Sequence, residues 1–481
     1  MQVKVLFIAA ECTPFVKIGG LADVVGSLPQ ALKKLRDCDV RVILPKYKTI
    51  PEQYRKKMES LATFSVRLGT KKSVYVGLQT LRLGAVRYYF IDNEFSFFRD
   101  KVYDYGDESE RFAFFQKAAL EAVRYMDFVP DVVHVHDWHA AMVPLLLRTT
   151  YAAAFPNVRT VLTIHNLAYQ GIFPLQDYTL FNLEYDNRFE FEGYLNFLKC
   201  GIVAADRVTT VSPTYAKEIL TDYYGYGMQK LLTWRQDTLL GIMNGIATAD
   251  FDPSTDPALS VHFGPDDFPA GKQACKKDLY ARLDAGFDVD APLVGIVSRL
   301  VSQKGFDLIE RVLEEMLATD DFRLVVLGDG EKKYNEFFRR VAADHPDKVR
   351  VTIGYDDALA RRIYAAADLF LMPSKFEPCG LGQLIAMRYG TLPLVRETGG
   401  LVDSVRPYNE YEGTGTGFSF THYNAHDMMH VLRYAFRVRR EQRGAWNAMV
   451  RRAMAADFSW EASARAYKQL YRELMKDKGA K

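Results

Sequence analysis

The residues most able to do chemistry lie where apolar runs give way to turns. The run Val294–Ser298 is followed by Arg299-Leu300-x-x-Gln303-Lys304-Gly305. Two cations on one short loop after a buried strand can neutralise a diphosphate and stabilise the charge that develops on it as it departs. Arginine offers a planar bidentate fork, lysine a mobile point charge. The bland alternative is a solvated basic turn. Further along, Pro373-Ser374-Lys375-Phe376-Glu377-Pro378-Cys379-Gly380-Leu381 leads into Gln383, and Thr398-Gly399-Gly400-Leu401 follows the next apolar run. A glutamate in a turn before a glycine-started helix can hold sugar or ribose hydroxyls while helix amides meet phosphate. The same glutamate also fits a plain helix cap, and Cys379 also fits a small core residue.

The first half carries three comparable turns. Glu11-x-x-Pro14-x-x-Lys17-x-Gly19-Gly20-Leu21 follows Val3–Ala10. Its two glycines let backbone approach a ligand closely and turn N–H groups towards an anion, with Lys17 as an added charge. A glycine turn beside a solvated lysine is the alternative, because the segment has neither Walker nor G-x-G-x-x-G spacing. His134-Val135-His136-Asp137-Trp138-His139 ends a second strand, with His134 and His136 on one face. Three readings stand there: a metal site, sugar-hydroxyl binding by Asp137 and His139, and a structural hydrogen-bonding role for His134. Thr163-Ile164-His165-Asn166 leaves a third strand and brings His165 to its carboxyl end, where a histidine satisfied by backbone carbonyls is also expected.

These turns need strands to hold them. Short β-branched runs at Val3–Ala10, Val40–Leu44, Val132–His136, Val161–His165 and Val208–Val211 alternate with helical patterns at Leu21–Leu35, Glu110–Tyr125 and Ala140–Thr149. The second half repeats the scheme: strands at Val294–Ser298, Leu324–Gly328, Val349–Ile353, Leu369–Pro373 and Leu392–Val395, with helices between them. Apolar strands alternating with amphipathic helices predict α/β architecture with parallel sheets covered on both faces. The expected divisions are residues 1–245, 246–456 and a final amphipathic helix within 457–481. Two Rossmann-like domains facing each other place ligands at the carboxyl ends of strands, in the crevice between the domains.

Composition narrows the class. At 481 residues the chain exceeds one ordinary core. A net charge of +2 lacks the basic footprint of a nucleic-acid binder, so any anion site is local. No apolar stretch approaches a membrane span, and no membrane partner is expected. Cys12, Cys38, Cys200, Cys275 and Cys379 are scattered, form no C-x-x-C pair and fit a reducing cytoplasm.

Taken together, K-x-G-G-L at Lys17–Leu21, H-x-H-D-W-H at His134–His139, R-L…Q-K-G at Arg299–Gly305, Phe376–Leu381 through Ala386–Gly390, and Thr398–Leu401 resemble the glycogen and starch synthases of glycosyltransferase family 5. The match runs in the family's order along nearly the whole chain. The resemblance implies a GT-B fold with a deep interdomain cleft, whose last helix crosses back to the first domain. It implies an enzyme, a retaining glucosyltransferase, moving glucose from ADP-glucose to the non-reducing end of an α-1,4-glucan. Its partners are then a nucleotide-sugar and a glucan, with no metal or pyridoxal phosphate cofactor. Carried over by motif, Lys17, Arg299 and Lys304 meet donor phosphates, Glu377 holds glucose as the leading catalytic candidate, and His165 contacts glucose near its reacting carbon. Asp137 is the acidic residue of the first domain's sugar site. Asp23, Tyr105, His139, Asn166, Asn244, Cys379, Gly380 and Leu381 fall in the substrate-binding segments, and Gly19, Gly20, Thr398, Gly399 and Gly400 supply backbone donors.

Departures from the pattern are local. The usual Asn-Gly-Ile-Asp reads Asn244-Gly245-Ile246-Ala247, and Phe251 stands where tryptophan is usual. Ile385 takes the place where family 4 transferases carry a second glutamate, which favours family 5. Two alternatives remain: a glucan-binding protein that kept the fold without turnover, and a phosphorylase dependent on lysine-bound pyridoxal phosphate. Retention proceeds either by front-face attack, the favoured route, or through a carboxylate nucleophile. No motif encodes oligomeric state.

Overall fold

The computed structural model describes residues 2–70 and 72–476. The chain divides into two compact units, one running to Asn244 and resuming at Trp460, the other spanning Gly245–Ser459. Each is described by itself.

The first unit is built on β1 (Val3–Ile8), β2 (Cys38–Pro45), β3 (Glu59–Leu68), β4 (Lys72–Leu83), β5 (Val86–Asp92), β6 (Val132–His136), β7 (Arg159–Ile164), β8 (Ile172–Pro174), β9 (Glu190–Phe191), β10 (Tyr194–Asn196), β11 (Arg207–Thr210) and β12 (Leu239–Gly241). Among the described residues these give a sheet ordered β12-β11-β7-β6-β1-β2-β5-β4-β3 and a small antiparallel sheet β8-β10-β9. From β12 to β5 the pairing is parallel, as the apolar runs predict. The expectation of wholly parallel sheets fails at β3 and β4, which pair antiparallel. Leu83 and Val86 face each other across the two-residue loop Gly84-Ala85, with Gly84 at φ +61°. That left-handed glycine is what a tight hairpin requires.

The helix Gly20–Lys34 and the last helix, Trp460–Lys476, pack together in this unit. Trp460, Tyr467, Leu470, Tyr471 and Leu474 are all buried in its core. A polar chain ties that helix to the sheet. The Tyr471 hydroxyl lies 2.7 Å from His134 Nδ1, and His134 Nε2 lies 2.6 Å from Thr163 Oγ1. Thr163 Oγ1 is in turn 2.6 Å from Thr209 Oγ1. Both imidazole nitrogens are therefore satisfied by protein, which assigns His134 the structural role. Buried polar groups hold a fold only when fully paired.

The second unit has β13 (Leu293–Val297), β14 (Arg323–Gly328), β15 (Val349–Ile353), β16 (Leu369–Met372), β17 (Leu392–Arg396) and β18 (Phe418–Phe420). They form one parallel sheet ordered β15-β14-β13-β16-β17-β18. Counted within the unit this is the Rossmann order 3-2-1-4-5-6, whose direction reverses between β13 and β16. Its core is separate from that of the first unit. No helix among the described residues is long and apolar enough to cross a membrane, and all five cysteines are free and buried.

Replacing Tyr471 by Phe removes one partner of a wholly buried imidazole. The expected cost is about 1–2 kcal/mol. For a unit of this size that lowers its melting temperature by about 2–4 °C in calorimetry. An unchanged melting temperature contradicts the structural role given to His134.

Candidate functional site

In the second unit the reversal of strand order puts two loops side by side. One follows β13 and carries Arg299–Gly305, the other follows β16 and carries Pro373–Leu381. Crevices at such a reversal receive ligands in open α/β sheets. The first loop is braced from below: Leu300 donates to the Asp329 carbonyl at 2.8 Å, and the Ser302 amide donates to Glu331 Oε1 at 2.7 Å. Arg299 is exposed, and its guanidinium has no ion-pair or hydrogen-bond partner among the described residues. Gly305 sits at φ +75°, and a Cβ there falls 2.0 Å from the Pro373 carbonyl oxygen. Only glycine lets the two loops approach this closely.

Their contact is electrostatic as well. Lys304 Nζ lies 2.6 Å from Glu377 Oε2, and Ser374 Oγ donates to the same oxygen at 3.0 Å. The Lys375 amide donates to the Gln303 carbonyl at 2.8 Å, and Gln303 Nε2 returns a bond to the Phe376 carbonyl. Glu377 is only 6% exposed, so an unpaired carboxylate would be costly there. The lysine and the hydroxyl offset that cost.

A third loop, after β17, locks beneath the second. At Gly399, φ is +47° and an added Cβ meets the Glu377 carbonyl oxygen at 2.0 Å; at Gly400 it meets the Cys379 carbonyl oxygen at 2.2 Å. The Gly400 amide, expected to face a ligand, donates instead to the Glu377 carbonyl at 3.1 Å and the Pro378 carbonyl at 3.2 Å. Thr398 is buried, and Leu401 donates back to its carbonyl. Gln383 Nε2 reaches the Cys379 and Gly380 carbonyls and Ser404 Oγ, joining the helices Gly382–Arg388 and Gly399–Ser404. Gly380 is left-handed at φ +72°, Cys379 is buried, and Leu381 caps its helix.

In the first unit the strand order reverses at β1, between β6 and β2. Glu11, just beyond β1, is 5% exposed and organises the glycine loop. Its Oε2 accepts the Ile18 and Gly19 amides at 2.7 and 2.9 Å, and its Oε1 accepts the Tyr103 hydroxyl at 2.8 Å. The Gly19 amide is thus engaged within the protein, contrary to expectation. The Gly20 amide has no partner among the described residues, and a Cβ at either glycine meets nothing within 4 Å. Nothing in the unit's own packing demands glycine at these two positions. Lys17 is half exposed and pairs with Asp23 Oδ1 at 2.8 Å.

Asp137 departs most from its expected role. It takes φ +54°, an uncommon value for a non-glycine residue, and its Oδ1 accepts the His165 amide at 2.7 Å, with help from the Asn166 amide. Its carboxylate holds the next loop instead of reaching outward. His165 Nε2 lies 3.0 Å from His136 Nδ1, and His139 stacks between Trp138 at 3.9 Å and Tyr103 at 5.0 Å. Asn166 Oδ1 closes a turn onto the Ala168 amide. Tyr105 lies under the Arg99 guanidinium at 4.9 Å and that of Arg111 at 5.5 Å, its hydroxyl accepting the Lys101 amide. Arg111 is 1% exposed and binds the Ser96 and Val102 carbonyls, fixing this segment. Asn244 is buried, and its Oδ1 has no partner among the described residues. The structure therefore gathers Glu377, Lys304, Gly380, Gly399 and Gly400 in one unit, and His165, Asp137, His139, Asn166, Gly19 and Lys17 around three adjoining strand ends of the other. Glu11, Ser374 and Gln303 complete these arrangements. A carboxylate directly after an apolar strand was the signal for Glu11.

Known proteins show the same organisation. A model of the starch synthase catalytic domain matches residues 4–234, and one of glycosyl transferases group 1 matches residues 282–451. Glycogen synthase of Bacillus subtilis (strain 168) is 47% identical over 478 residues, 98% of each chain. That of Geobacillus stearothermophilus is 48% identical over 484 residues, again 98% of each. The solved catalytic domain of starch synthase IV from Arabidopsis thaliana, bound to ADP and acarbose, superposes with a TM-score of 0.92 at 33% identity, covering 99% of this chain and 100% of that one. Sucrose-phosphate synthase from Thermosynechococcus elongatus, at TM-score 0.63 and 18% identity, shares the fold alone. The chain has the GT-B fold and belongs to the glycogen and starch synthase family of glycosyltransferases.

Proposed function

We propose that this enzyme transfers glucose from ADP-glucose to the non-reducing end of an α-1,4-glucan, with retention of configuration, in the cytoplasm. One observation carries the reading: Lys304 and Arg299, whose guanidinium has no partner among the described residues, stand on one braced loop at the strand reversal of a Rossmann unit. Two fixed cations there supply the charge that a departing diphosphate needs, so no cofactor is assigned. The ADP in the Arabidopsis neighbour supports the diphosphate.

The pairing of Glu377 bears on how configuration is retained. Its Oε2 already accepts from an ammonium and a hydroxyl, which lowers its capacity as a nucleophile. This supports front-face attack over a glucosyl-carboxylate intermediate. In that step the bond from the anomeric carbon to the β-phosphate oxygen breaks, and the acceptor's O4 bonds on the same face. The acceptor's proton passes to the departing phosphate, which leaves as ADP. Glu377 then holds glucose hydroxyls through its other oxygen and stabilises positive charge near the sugar ring.

Incubation with labelled ADP-glucose and glycogen tests the activity, with UDP-glucose run beside it. Label in the polymer, faster from ADP-glucose, is expected. Glycogen binding with no incorporation from either donor contradicts the assignment. In Lys304→Ala, turnover should fall about 10²–10³-fold, as when an oxyanion donor is removed, with glycogen affinity unchanged. Undiminished turnover rejects the phosphate role.

The histidines give a pH dependence. Burial holds His139 and His165 down at about 3, and His134 and His136 well below the ordinary imidazole value. His165 therefore serves as a neutral hydrogen-bonding group. Because each folded value is depressed, their contribution to stability is full above about pH 6.5 and is lost as pH falls. Burial pushes Asp137 up to about 7, which acts in the opposite sense: the fold keeps a proton that the unfolded chain releases. Unfolding near pH 5 should take up about three protons net from this cluster. The first unit's melting temperature should drop steeply between pH 7 and 5. A flat profile contradicts neutral burial.

A further inference from the structure

The first unit has a second concave polar surface, at the opposite ends of its strands from Glu11 and His165. A cavity of about 300 Å³ is lined by Lys33, Asp39, Arg41, Arg82, Arg87 and Asp127, with Val40 and Ala85. Arg41 lies near the start of β2 and Arg87 near the start of β5, whereas the candidate site lies at the far ends of the parallel strands. The four or five residues of strand beyond them separate the two by about 15 Å.

Register makes the pocket unusual. Arg41 on β2 is the ladder partner of Arg87 on β5, and Arg87 is the partner of Arg82 on β4. Ladder partners share a face, so three guanidinium side chains rise in a row from strands about 4.8 Å apart. Like charges directly opposite each other in an antiparallel pair are destabilising. The nearby carboxylates do not cancel them. Asp39 is taken by Lys33 at 2.6 Å and lies 3.9 Å from Arg41. Asp127 forms no ion pair, and Arg82 and Arg87 are exposed without any ion-pair partner among the described residues. Four cations thus face two carboxylates.

The row is also pre-positioned. Arg41 donates to the Tyr89 hydroxyl at 2.6 Å, and its guanidinium lies 4.4 Å from the centre of the Phe128 ring. A cation held by an aromatic face and a hydroxyl loses little freedom when it meets an anion. Paired guanidinium forks match the oxygens of a phosphate in bidentate fashion.

We propose that this pocket binds a phosphate dianion, as the free ion or as the head of a small monoester. Bound there, the dianion matches the net charge of the lining and relieves the repulsion between Arg82 and Arg87. The cavity exceeds the size of a phosphate ion and leaves room for a sugar-sized body. The ligand touches none of the residues assigned to glucosyl transfer.

The test titrates inorganic phosphate, and separately a hexose monophosphate, into the full-length protein at constant ionic strength. Lys304→Ala serves as the background, to weaken binding at the other phosphate loop. Saturable binding is expected, weakened at least tenfold in Arg82→Gln/Arg87→Gln, whose transfer rate without phosphate stays unchanged. Tenfold tighter binding of the hexose monophosphate supports the site with the ester as ligand, and equal affinities support it with the free ion. Melting temperature gives a second readout: without phosphate the double variant should melt higher than the parent, and phosphate should raise only the parent. Affinities within twofold between parent and double variant, or no saturable binding by the parent, overturn the proposal.

Discussion

The contact between Lys304 and Glu377 is the interaction on which the chemistry proposed for the second unit rests. It joins two loops that leave different strands, and it exists only because Gly305 lets one loop lie against Pro373. Gly399 and Gly400 then fit under the carbonyls of Glu377 and Cys379, so the glutamate is fixed from above by charge and from below by backbone. A catalytic group works when its position is set before substrate arrives. Here a strand order, two left-handed glycines, a close-packed third and one ion pair set it.

The first unit uses buried polarity in a different way. Glu11, Asp137 and His134 look like ligand groups by residue type, yet most of their capacity goes into holding backbone. Glu11 draws the Ile18–Gly19 loop inward, Asp137 draws in the His165 loop, and His134 links the last helix to the sheet. The first two each leave a neighbour for outward work: the Gly20 amide beside Glu11, and the Nδ1 edge of the His165 ring beside Asp137, its Nε2 being held by His136. The histidine cluster stays neutral because desolvation opposes its charge, which suits hydrogen bonding to uncharged sugar hydroxyls.

Much of this was legible in sequence, for physical reasons. Strands β1, β6, β13 and β16 are buried on both faces, so they read as unbroken apolar runs, and their ends mark the site loops. Arg299, Lys304 and Glu377 sit immediately beyond such ends. The antiparallel strands β3 and β4 escaped because their residues are half exposed and their alternation is weak, as in Glu59–Leu68, although Gly84-Ala85, between β4 and β5, was a usable turn signal. What a carboxylate or an amide bonds to was not legible. Whether Asp137 points at sugar or at its neighbour's amide depends on a loop 28 residues away returning beside it. For the same reason the Gly19 and Gly400 amides, open donors by motif, prove to be engaged within the protein.

The role proposed for Lys304 is to act on the departing phosphate, beyond neutralising Glu377. A double-mutant cycle on turnover separates the two, using Lys304→Ala, Glu377→Gln and their combination. If the lysine serves the phosphate, its removal still slows turnover at least about tenfold when position 377 is already neutral. If the double variant turns over as fast as Glu377→Gln alone, the lysine only balances the carboxylate and has no role at the phosphate.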